Sequence, residues 1–354
     1  NVKFVKLFCK GKGLVELLSN EEKQDYNILQ DKIKNTLKSY SFCGYDPREY
    51  CLDELIGKSF IKDFFTLKNK AMSLIIKKYP EPKNYDQLEK IERLAHAISK
   101  KKLNLNLANV YTAANDNRIK KIIKRYSNSL AFIHYNTFGT ITGRLSTTPS
   151  SFPILTLNKE YRTMVTPNND TFVEFDYNAF ELRVFAALLG RQQPEGDIHD
   201  WNIKNLFKDG INRSDAKKRI FAWLYNPNSD DAILSHEYDR KSLLKKYFSN
   251  GKVVTDFDRE IEADDYHALN YLIQSTASDL FLEQVYKVFK ILEDNNAQSY
   301  ISMLIHDSMV LDFDKKDHQL LDQIKNTFKN TRYGDFKLNI QIGKTLGDLG
   351  TQWK

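Results

Sequence analysis

Cysteine is scarce in this chain of 354 residues, which contains only Cys9, Cys43 and Cys51. An odd number of cysteines at these spacings argues against a disulfide scaffold and against a cysteine zinc site. No apolar run reaches the length that spans a membrane, and the N-terminus lacks the layout of a signal peptide. We therefore expect a soluble, intracellular protein with reduced thiols and no membrane partner. The chain begins at Asn1 rather than at a methionine, which is compatible with removal of an upstream segment.

A strong charge imbalance is also missing. The chain has 53 Lys and Arg against 46 Asp and Glu, a net charge of +7. Such an excess fits a polyanionic partner without being specific to one. The segment from 61 to 129 has helical periodicity and many cations: Lys68, Lys70, Lys77, Lys78, Lys100, Lys101, Lys102, Lys120, Lys121, Lys124 and Arg125. It is equally compatible with a solvated helical surface and with a helical arm that follows a phosphate backbone.

The most informative stretch is Thr171–Gly190, around which the chain is organised. Its first five residues are mostly β-branched or aromatic and predict a strand, and good helix formers follow Asp176. Asp176 is thus expected at the rim of a sheet. An aspartate in this position is often only a helix cap, so its significance depends on a second carboxylate nearby.

Residues Tyr300–Phe313 supply that carboxylate. They predict two short apolar strands with His306, Asp307 and Ser308 at the reversal. If this hairpin shares a sheet with the strand before Asp176, Asp176 and Asp307 converge. Two close carboxylates repel each other unless a cation lies between them, and oxygen ligands favour Mg²⁺. Two such ions would suit an in-line phosphoryl transfer.

A helix is predicted from Arg213, with Arg213, Lys217, Phe221 and Tyr225 at successive steps of four and therefore on one face. Two cations followed by two aromatic residues suit a nucleoside triphosphate, with the phosphates near the helix N-terminus. Upstream, Asp197 is a plausible cap of a helix through Phe207. His199 is either a simple first-turn residue or a ligand contact.

Two further segments carry polar side chains that fit nucleic acid. The turn Thr142–Ser146 presents Arg144, although exposed loop arginines are common. A long helix is predicted from Asp264 to Phe289, with Asn270, Gln274 and Ser278 on one stripe. These neutral groups could contact the minor groove, whose acceptors are nearly common to all base pairs. Simple exposure to solvent is the alternative.

Six motifs in the same order resemble those of family A DNA polymerases, and they extend from about Phe132 to Lys354. They are T-G-R-L-S at Thr142–Ser146, D-Y-x3-E-L-R at Asp176–Arg183, R-x3-K-x3-F-x3-Y at Arg213–Tyr225, N-x3-Q at Asn270–Gln274, H-D at His306–Asp307 and G-x-x-W at Gly350–Trp353.

This resemblance implies an α/β (α+β) fold shaped like a right hand, with an antiparallel-sheet palm, helical fingers and a helical thumb. The implied division is an N-terminal segment of unknown role at 1–60, left from or linking to an upstream domain, a thumb at 61–130, palm at 131–190, fingers at 191–279 and further palm at 280–354.

It further implies a template-directed DNA polymerase that uses dNTPs and primer–template DNA and that works with replisome proteins. Asp176, Asp307 and the Tyr177 carbonyl would hold two Mg²⁺ ions, for which Mn²⁺ would substitute. Lys217 would also be the general acid. The implied nucleotide contacts are Tyr177, Glu181, His199, Arg213, Lys217, Phe221 and Tyr225; the implied DNA contacts are Arg144, Asn270, Gln274 and His306.

The chain also departs from the family motifs. Ser308 replaces the glutamate of the family's H-D-E, Asn226 replaces a glycine, and Tyr266 replaces an arginine. Its compactness suggests a phage-like member, located in the host cytoplasm if phage-encoded. No Asp-x-Glu pair precedes residue 130, and the pair at Asp258–Glu260 is interpreted as surface charge, so no proofreading exonuclease is expected. A single-subunit RNA polymerase and an inactive DNA-binding subunit remain alternatives.

Overall fold

The computed structural model describes residues 4–113, 116–208 and 210–352, so Trp353 of the G-x-x-W motif lies outside the described residues. The chain divides into two compact units, Asn1–Tyr85 and Asp86–Lys354. Among the described residues, no helix combines the length and the apolar character needed to cross a membrane.

The first unit is helical: α1 Val5–Phe8, α2 Asn20–Phe42, α3 Leu52–Leu55 and α4 Lys58–Lys78. Helix α2 begins in a capping box, in which the Ser19 hydroxyl accepts from the Glu22 amide and the Glu22 carboxylate accepts from the Ser19 amide. Its small core includes Tyr26 stacked on Phe64, with ring centres 5.2 Å apart. The boundary predicted at 60/61 falls inside α4. This helix packs on α2, and the whole of it belongs to the first unit.

Nine α-helices follow within the described residues, besides short 3₁₀ helices: α5 Tyr85–Ser99, α6 Asn117–Tyr126, α7 Phe180–Leu188, α8 Ile198–Asn205, α9 Arg213–Tyr225, α10 Ala232–Glu237, α11 Arg240–Tyr247, α12 Ala268–Asp294 and α13 Leu321–Lys329. Helix α12 begins four residues later than predicted and continues past Phe289 to Asp294. It also crosses the predicted 279/280 boundary between fingers and palm. Helix α8 ends at Asn205, before the predicted Phe207.

The strands of the described residues are short: β1 Lys102–Leu105, β2 Ala131–Phe132, β3 Tyr135–Asn136, β4 Ser146–Thr147, β5 Val165–Thr166, β6 Thr171–Tyr177, β7 Phe248–Ser249, β8 Lys252–Val254, β9 Glu260–Glu262, β10 Tyr300–Ile305, β11 Ser308–Phe313, β12 Asn330–Thr331, β13 Gly334–Asp335, β14 Leu338–Gly343 and β15 Thr351–Gln352. The segment expected to be wholly helical from 61 to 129 contains β1, which pairs with β2 and β5.

The central sheet has the strand order β10-β11-β6-β14-β15, and its pairs are antiparallel. One face of β6 is apolar because Val173, Phe175 and Tyr177 alternate along it, all at most 2% exposed. Helix α12 packs against α7 and α13 in the main core. The polar residues of β6 are therefore left for the opposite face, where the site is built.

Candidate active site

The hairpin predicted at Tyr300–Phe313 is present, and it lies beside β6 as the convergence of the carboxylates requires. Strands β10 and β11 are joined by His306 and Asp307 alone, while Ser308 already belongs to β11. His306 adopts a left-handed conformation with φ of 58°, which the two-residue reversal demands. Ser308 is directly opposite Asp176 in the ladder. Asp307 therefore comes to the same rim of the sheet as Asp176.

The protonation of Asp176 depends on its burial and on the neighbouring charge of Asp307. Burial, followed by the negative charge of Asp307, raises the pKa of Asp176 to about 7, and Glu174 adds a smaller effect in the same direction. The hydrogen bond from Asn339 Nδ2 to Asp176 Oδ2, at 3.3 Å, opposes the rise. Such repulsion is relieved when a cation is bound between the carboxylates. No group of three or more His, Cys, Asp and Glu side chains arranged to hold a metal occurs among the described residues.

A sharp turn connects β6 to α7 and is held by an arginine whose role the motif alone did not predict. Ala179 takes a left-handed conformation, with φ of 48°, immediately before α7. Arg183 is fully buried and donates to the carbonyl of Asn178 at 2.9 Å and to the carbonyl of Gly196 at 2.6 Å. These bonds tie the end of β6 to the segment that begins α8. The side chain of Tyr177 is buried and stacks on Phe180 at 4.4 Å, which leaves only its main chain for the site.

Helix α9 spans Arg213–Tyr225 and presents the predicted stripe. Arg213 and Lys217 are exposed, whereas Phe221 and Tyr225 are half-buried and stacked, with ring centres 5.9 Å apart. The opposite face is buried in the core through Ala216, Ile220, Trp223 and Leu224. Lys217 forms no ion pair within residues 4–113, 116–208 and 210–352, and its Nζ lies 5.9 Å from the centre of the Phe221 ring. The stripe therefore offers one unpaired cation to an anionic ligand.

Arg213, in contrast, is already paired. Its Nη2 lies 2.7 Å from Asp197 Oδ2 and its Nε lies 3.4 Å from Asp200 Oδ1. Asp197 caps α8 as predicted, since its carboxylate accepts from the amides of His199 and Asp200. Although burial opposes it, hydrogen bonds from Asn178 and Arg213 hold the pKa of Asp197 below its ordinary value. A phosphate on Arg213 must compete with these two carboxylates.

His199 lies beneath the aromatic part of the stripe. It is 2% exposed, its ring centre is 6.0 Å from that of Phe221, and its Nδ1 has no hydrogen-bond partner among the described residues. Burial lowers its pKa, which favours the neutral imidazole. In this conformation the ring is covered, so the predicted contact with phosphate requires a rearrangement of the residues around it.

Glu181, on the first turn of α7, joins two predicted site residues. Arg144 Nη2 donates to its Oε1 at 2.8 Å, and the hydroxyl of Tyr225 donates to its Oε2. Burial raises the pKa of Glu181, the charge of Arg144 opposes this, and Asp307 adds to it. The structure thus brings together residues from three separate motifs.

The loop that carries Arg144 is held by a buried ion pair, which the sequence-based interpretation missed. The interpretation as surface charge concerned the pair Asp258 and Glu260, and Arg259 between them was given no role. Arg259 donates to both carboxylate oxygens of Asp279 at 2.7 and 2.6 Å, and Asp279 is fully buried. Gly143 has φ of +77°, and a Cβ there would lie 2.5 Å from the Arg259 guanidinium. Ser278, expected in a groove-facing stripe, is buried and donates to the Gly143 carbonyl at 2.9 Å. We call the Arg259–Asp279 ion pair beside Gly143 the clamp on this loop. The sequence feature that could have indicated it is the arginine between Asp258 and Glu260, two residues that are themselves exposed.

The predicted DNA contacts fall in two places. Arg144, Ser278, His306 and Asp307 line one cavity of about 320 Å³. Asn270 lines a different cavity, of about 370 Å³, together with Tyr225 and Tyr266. Asn270 Oδ1 is buried and has no hydrogen-bond partner in the described part of the chain. Gln274 is half-buried on α12, one turn beyond Asn270. Of the four predicted DNA contacts, Arg144 and His306 line one cavity and Asn270 lines another, so the four do not form a single patch.

No protein-family model matches the chain. In sequence it is 25% identical over 289 residues to the DNA polymerase of Bacillus phage SP01, a match that covers 60% of this chain and 31% of the relative. It is 24% identical over 271 residues to the thermostable DNA polymerase I of Thermus aquaticus, covering 62% of this chain and 32% of the relative. The predicted resemblance to family A DNA polymerases is confirmed.

The chain spans about a third of the length of these DNA polymerase relatives. Among solved structures it is similar to the polymerase domain of Pol1 from M. smegmatis in complex with DNA primer-template and dNTP, with a TM-score of 0.51 and 15% identity. That match covers 93% of this chain and 66% of the other. The predicted α/β polymerase fold is therefore confirmed.

Proposed function

We propose that this chain is a DNA-directed DNA polymerase that adds dNTPs to the 3′ end of a primer on a DNA template. The observation that carries the proposal is the ladder pairing of Ser308 with Asp176, which places Asp307 and Asp176 at one rim of the central sheet. Its support comes from relatives that are DNA polymerases and from a fold shared with a polymerase domain that binds primer-template and dNTP.

The residues at this rim suit divalent cations. The donors are oxygen atoms, which hard ions such as Mg²⁺ prefer. Burial and the charge of Asp307 raise the pKa of Asp176, and a cation bound between the two carboxylates would oppose this rise. Asp176 and Asp307, with the Tyr177 carbonyl, would hold two Mg²⁺ ions, and Mn²⁺ would substitute. When bound, these ions supply acidification of the primer 3′-hydroxyl and neutralisation of the triphosphate charge.

The protein side chains bind and orient the nucleotide. Lys217 contacts the phosphates and donates a proton to the departing pyrophosphate, while Arg213 exchanges its carboxylate partners for phosphate oxygens. Glu181 excludes a ribose 2′-hydroxyl, and Tyr225 and Phe221 lie against the base and sugar. His199 is buried beside Phe221 of α9, so its contact with phosphate needs a local rearrangement, and we propose that a movement of α9 accompanies correct nucleotide binding.

We further propose that this chain does not proofread. The Asp-x-Glu pair consists of the exposed residues Asp258 and Glu260, which flank Arg259 in its ion pair with Asp279. The purified chain should therefore extend or stall at a mismatched primer end. Metal-dependent 3′→5′ trimming of that primer would contradict this.

The decisive experiment is primer extension with dNTPs and then with NTPs, each with and without Mg²⁺. We expect Mg²⁺-dependent extension with dNTPs that Asp176→Ala or Asp307→Ala abolishes, while binding of primer–template survives. Equal use of NTPs would favour the RNA polymerase alternative. Absence of extension with retained DNA binding would favour an inactive subunit. Variants within about tenfold of the wild-type rate, a change of ~1.4 kcal/mol, would contradict the role of the carboxylates.

A further inference from the structure

Ser308 follows Asp307 at the position where the H-D-E motif has a glutamate. Ser308 is the first residue of β11 and is 5% exposed, and its hydroxyl donates to Glu174 Oε1 at 2.6 Å. A carboxylate is therefore present beside position 308 after all. It comes from the neighbouring strand β6 rather than from the hairpin.

The register of the sheet places this carboxylate at the proposed metal site. Glu174 and Asp176 are two residues apart on β6, so their side chains lie on the same face. Ser308 is directly opposite Asp176 on one side, and Asn339 is directly opposite it on the other. Glu174 is thus the diagonal neighbour of Ser308, a spacing at which long side chains make contact.

Glu174 has no charge partner that would explain it as a structural residue. It is half-buried, and within the described ranges it forms no ion pair and its Oε2 accepts no hydrogen bond. It also faces Asp176, whose charge repels it. A cation bound near the two carboxylates would relieve this repulsion.

We infer that Glu174 is a positioning residue of the metal site and replaces, from β6, the carboxylate that position 308 lacks. This rests on the proposed function, since it assumes that Asp176 and Asp307 bind the cations. Glu174 adds a third negative charge, and its bond with Ser308 holds the start of β11, and with it Asp307, against β6. The carboxylate thus comes from Glu174, the diagonal neighbour of position 308, and still lies beside the proposed metal site.

The test is the affinity for Mn²⁺, measured by electron paramagnetic resonance on the full chain bound to primer–template with a dideoxy-terminated primer. Glu174→Gln keeps an acceptor for Ser308 and removes only the charge. We expect it to weaken Mn²⁺ binding by about 10- to 100-fold, as loss of a supporting partner does at other metal sites. Glu262→Gln, on the exposed side of β9, removes the same charge elsewhere and should leave binding unchanged.

An exchange variant separates position from charge. Glu174→Ser combined with Ser308→Glu moves the carboxylate to the hairpin and should restore most of the lost Mn²⁺ affinity, which a purely structural role of Glu174 would not produce. The same variants should raise the Mg²⁺ concentration needed for half-maximal extension, with a smaller effect on the rate at saturating Mg²⁺. Thermal unfolding of each variant shows that it is folded.

Two results distinguish failure of this inference from failure of the proposed function. If Asp176→Asn abolishes Mn²⁺ binding while Glu174→Gln binds like wild type, the inference is overturned and the metal site stands. If Asp176→Asn and Asp307→Asn both bind Mn²⁺ like wild type, the proposed site itself is overturned. An exchange variant that binds no better than Glu174→Gln would also count against the exchange.

Discussion

Arg144 Nη2 lies 2.8 Å from Glu181 Oε1, while Tyr225 donates to the other oxygen of the same carboxylate. Arg144 comes from a loop, Glu181 from α7 and Tyr225 from the end of α9. Glu181 is therefore the residue through which the end of α9 is connected to α7 and to the loop of Arg144. If the proposed function holds, a nucleotide that enters between them replaces at least one of these bonds, and we then expect sugar selection to be coupled to the position of α9.

The first prediction concerns this carboxylate. Glu181→Ala should open space for a ribose 2′-hydroxyl and release both Arg144 and Tyr225, so incorporation of NTPs should rise relative to dNTPs. The measurement is the ratio of the two incorporation efficiencies on one template. Glu181→Gln is the matched control, because it keeps the volume and an acceptor for Tyr225. Equal NTP incorporation by Glu181→Ala and wild type would show that Glu181 does not face the sugar.

The second prediction concerns Phe221, which lies four residues after Lys217 and stacks on Tyr225. Its ring offers no hydrogen bond, so we expect poor incorporation of dideoxynucleotides. Phe221→Tyr adds a hydroxyl near the nucleotide's 3′ position. A hydrogen bond to a charged phosphate contributes ~1.5–3 kcal/mol, so discrimination should fall by roughly tenfold to a hundredfold.

The ratio of dNTP to ddNTP incorporation efficiency measures this effect for wild type and variant. Trp223→Phe on the buried face of α9 serves as a control for general disturbance of the helix. An unchanged ratio in Phe221→Tyr would mean that the ring does not reach the sugar when α9 closes.

The third prediction concerns the clamp on the Gly143 loop. Arg259→Gln leaves Asp279 buried without its partner, and breaking a buried pair in this way costs about 3–5 kcal/mol. Urea unfolding should show that loss, and the double change Arg259→Gln with Asp279→Asn should recover part of it. Both variants should also raise the KM for primer–template more than they lower kcat, because Arg144 loses its support. A loss below about 1 kcal/mol in the free energy of unfolding would mean that water solvates Asp279 once Arg259 is removed, as at an exposed ion pair.

The fourth prediction is the pH dependence of stability without metal. The pKa of Asp176 is raised from 3.8 to about 7 in the folded chain, so the folded state binds more protons than the unfolded state between these values. Its contribution to the free energy of unfolding is therefore largest below about pH 4 and falls as the pH rises through about 7. At pH 8, Asp176→Asn should be more stable than metal-free wild type by up to about 4 kcal/mol.

Thermal unfolding at pH 5 and pH 8, with and without Mg²⁺, checks this dependence. Mg²⁺ should stabilise wild type at pH 8 and have little effect on Asp176→Asn. Asp312→Asn is the contrasting control: Asp312 accepts from the amides of Asn168 and Asn169 and from Tyr300, so its loss should destabilise at both pH values. Equal stability of wild type and Asp176→Asn at pH 8 would contradict the raised pKa.

Much of the fold was predictable because it depends on local patterns. Strand β6, the hairpin with Asp307 at its reversal, the capping role of Asp197 and the start of α9 at Arg213 follow from side-chain periodicity, turn chemistry and helix capping. Motif order was sufficient to predict the resemblance to DNA polymerases. Each of these strands, turns, caps and motifs depends only on residues that are near one another in the chain.

The sequence alone determined which groups this protein has for chemistry: two separated aspartates, a cationic and aromatic stripe, and a loop arginine. Only the tertiary structure decided which of them meet. Strand register, which depends on packing of the whole sheet, set Ser308 opposite Asp176 and brought Glu174 to Ser308. Tertiary packing also paired Arg259 with Asp279, because these residues are 20 positions apart in the chain and meet only where the core encloses them.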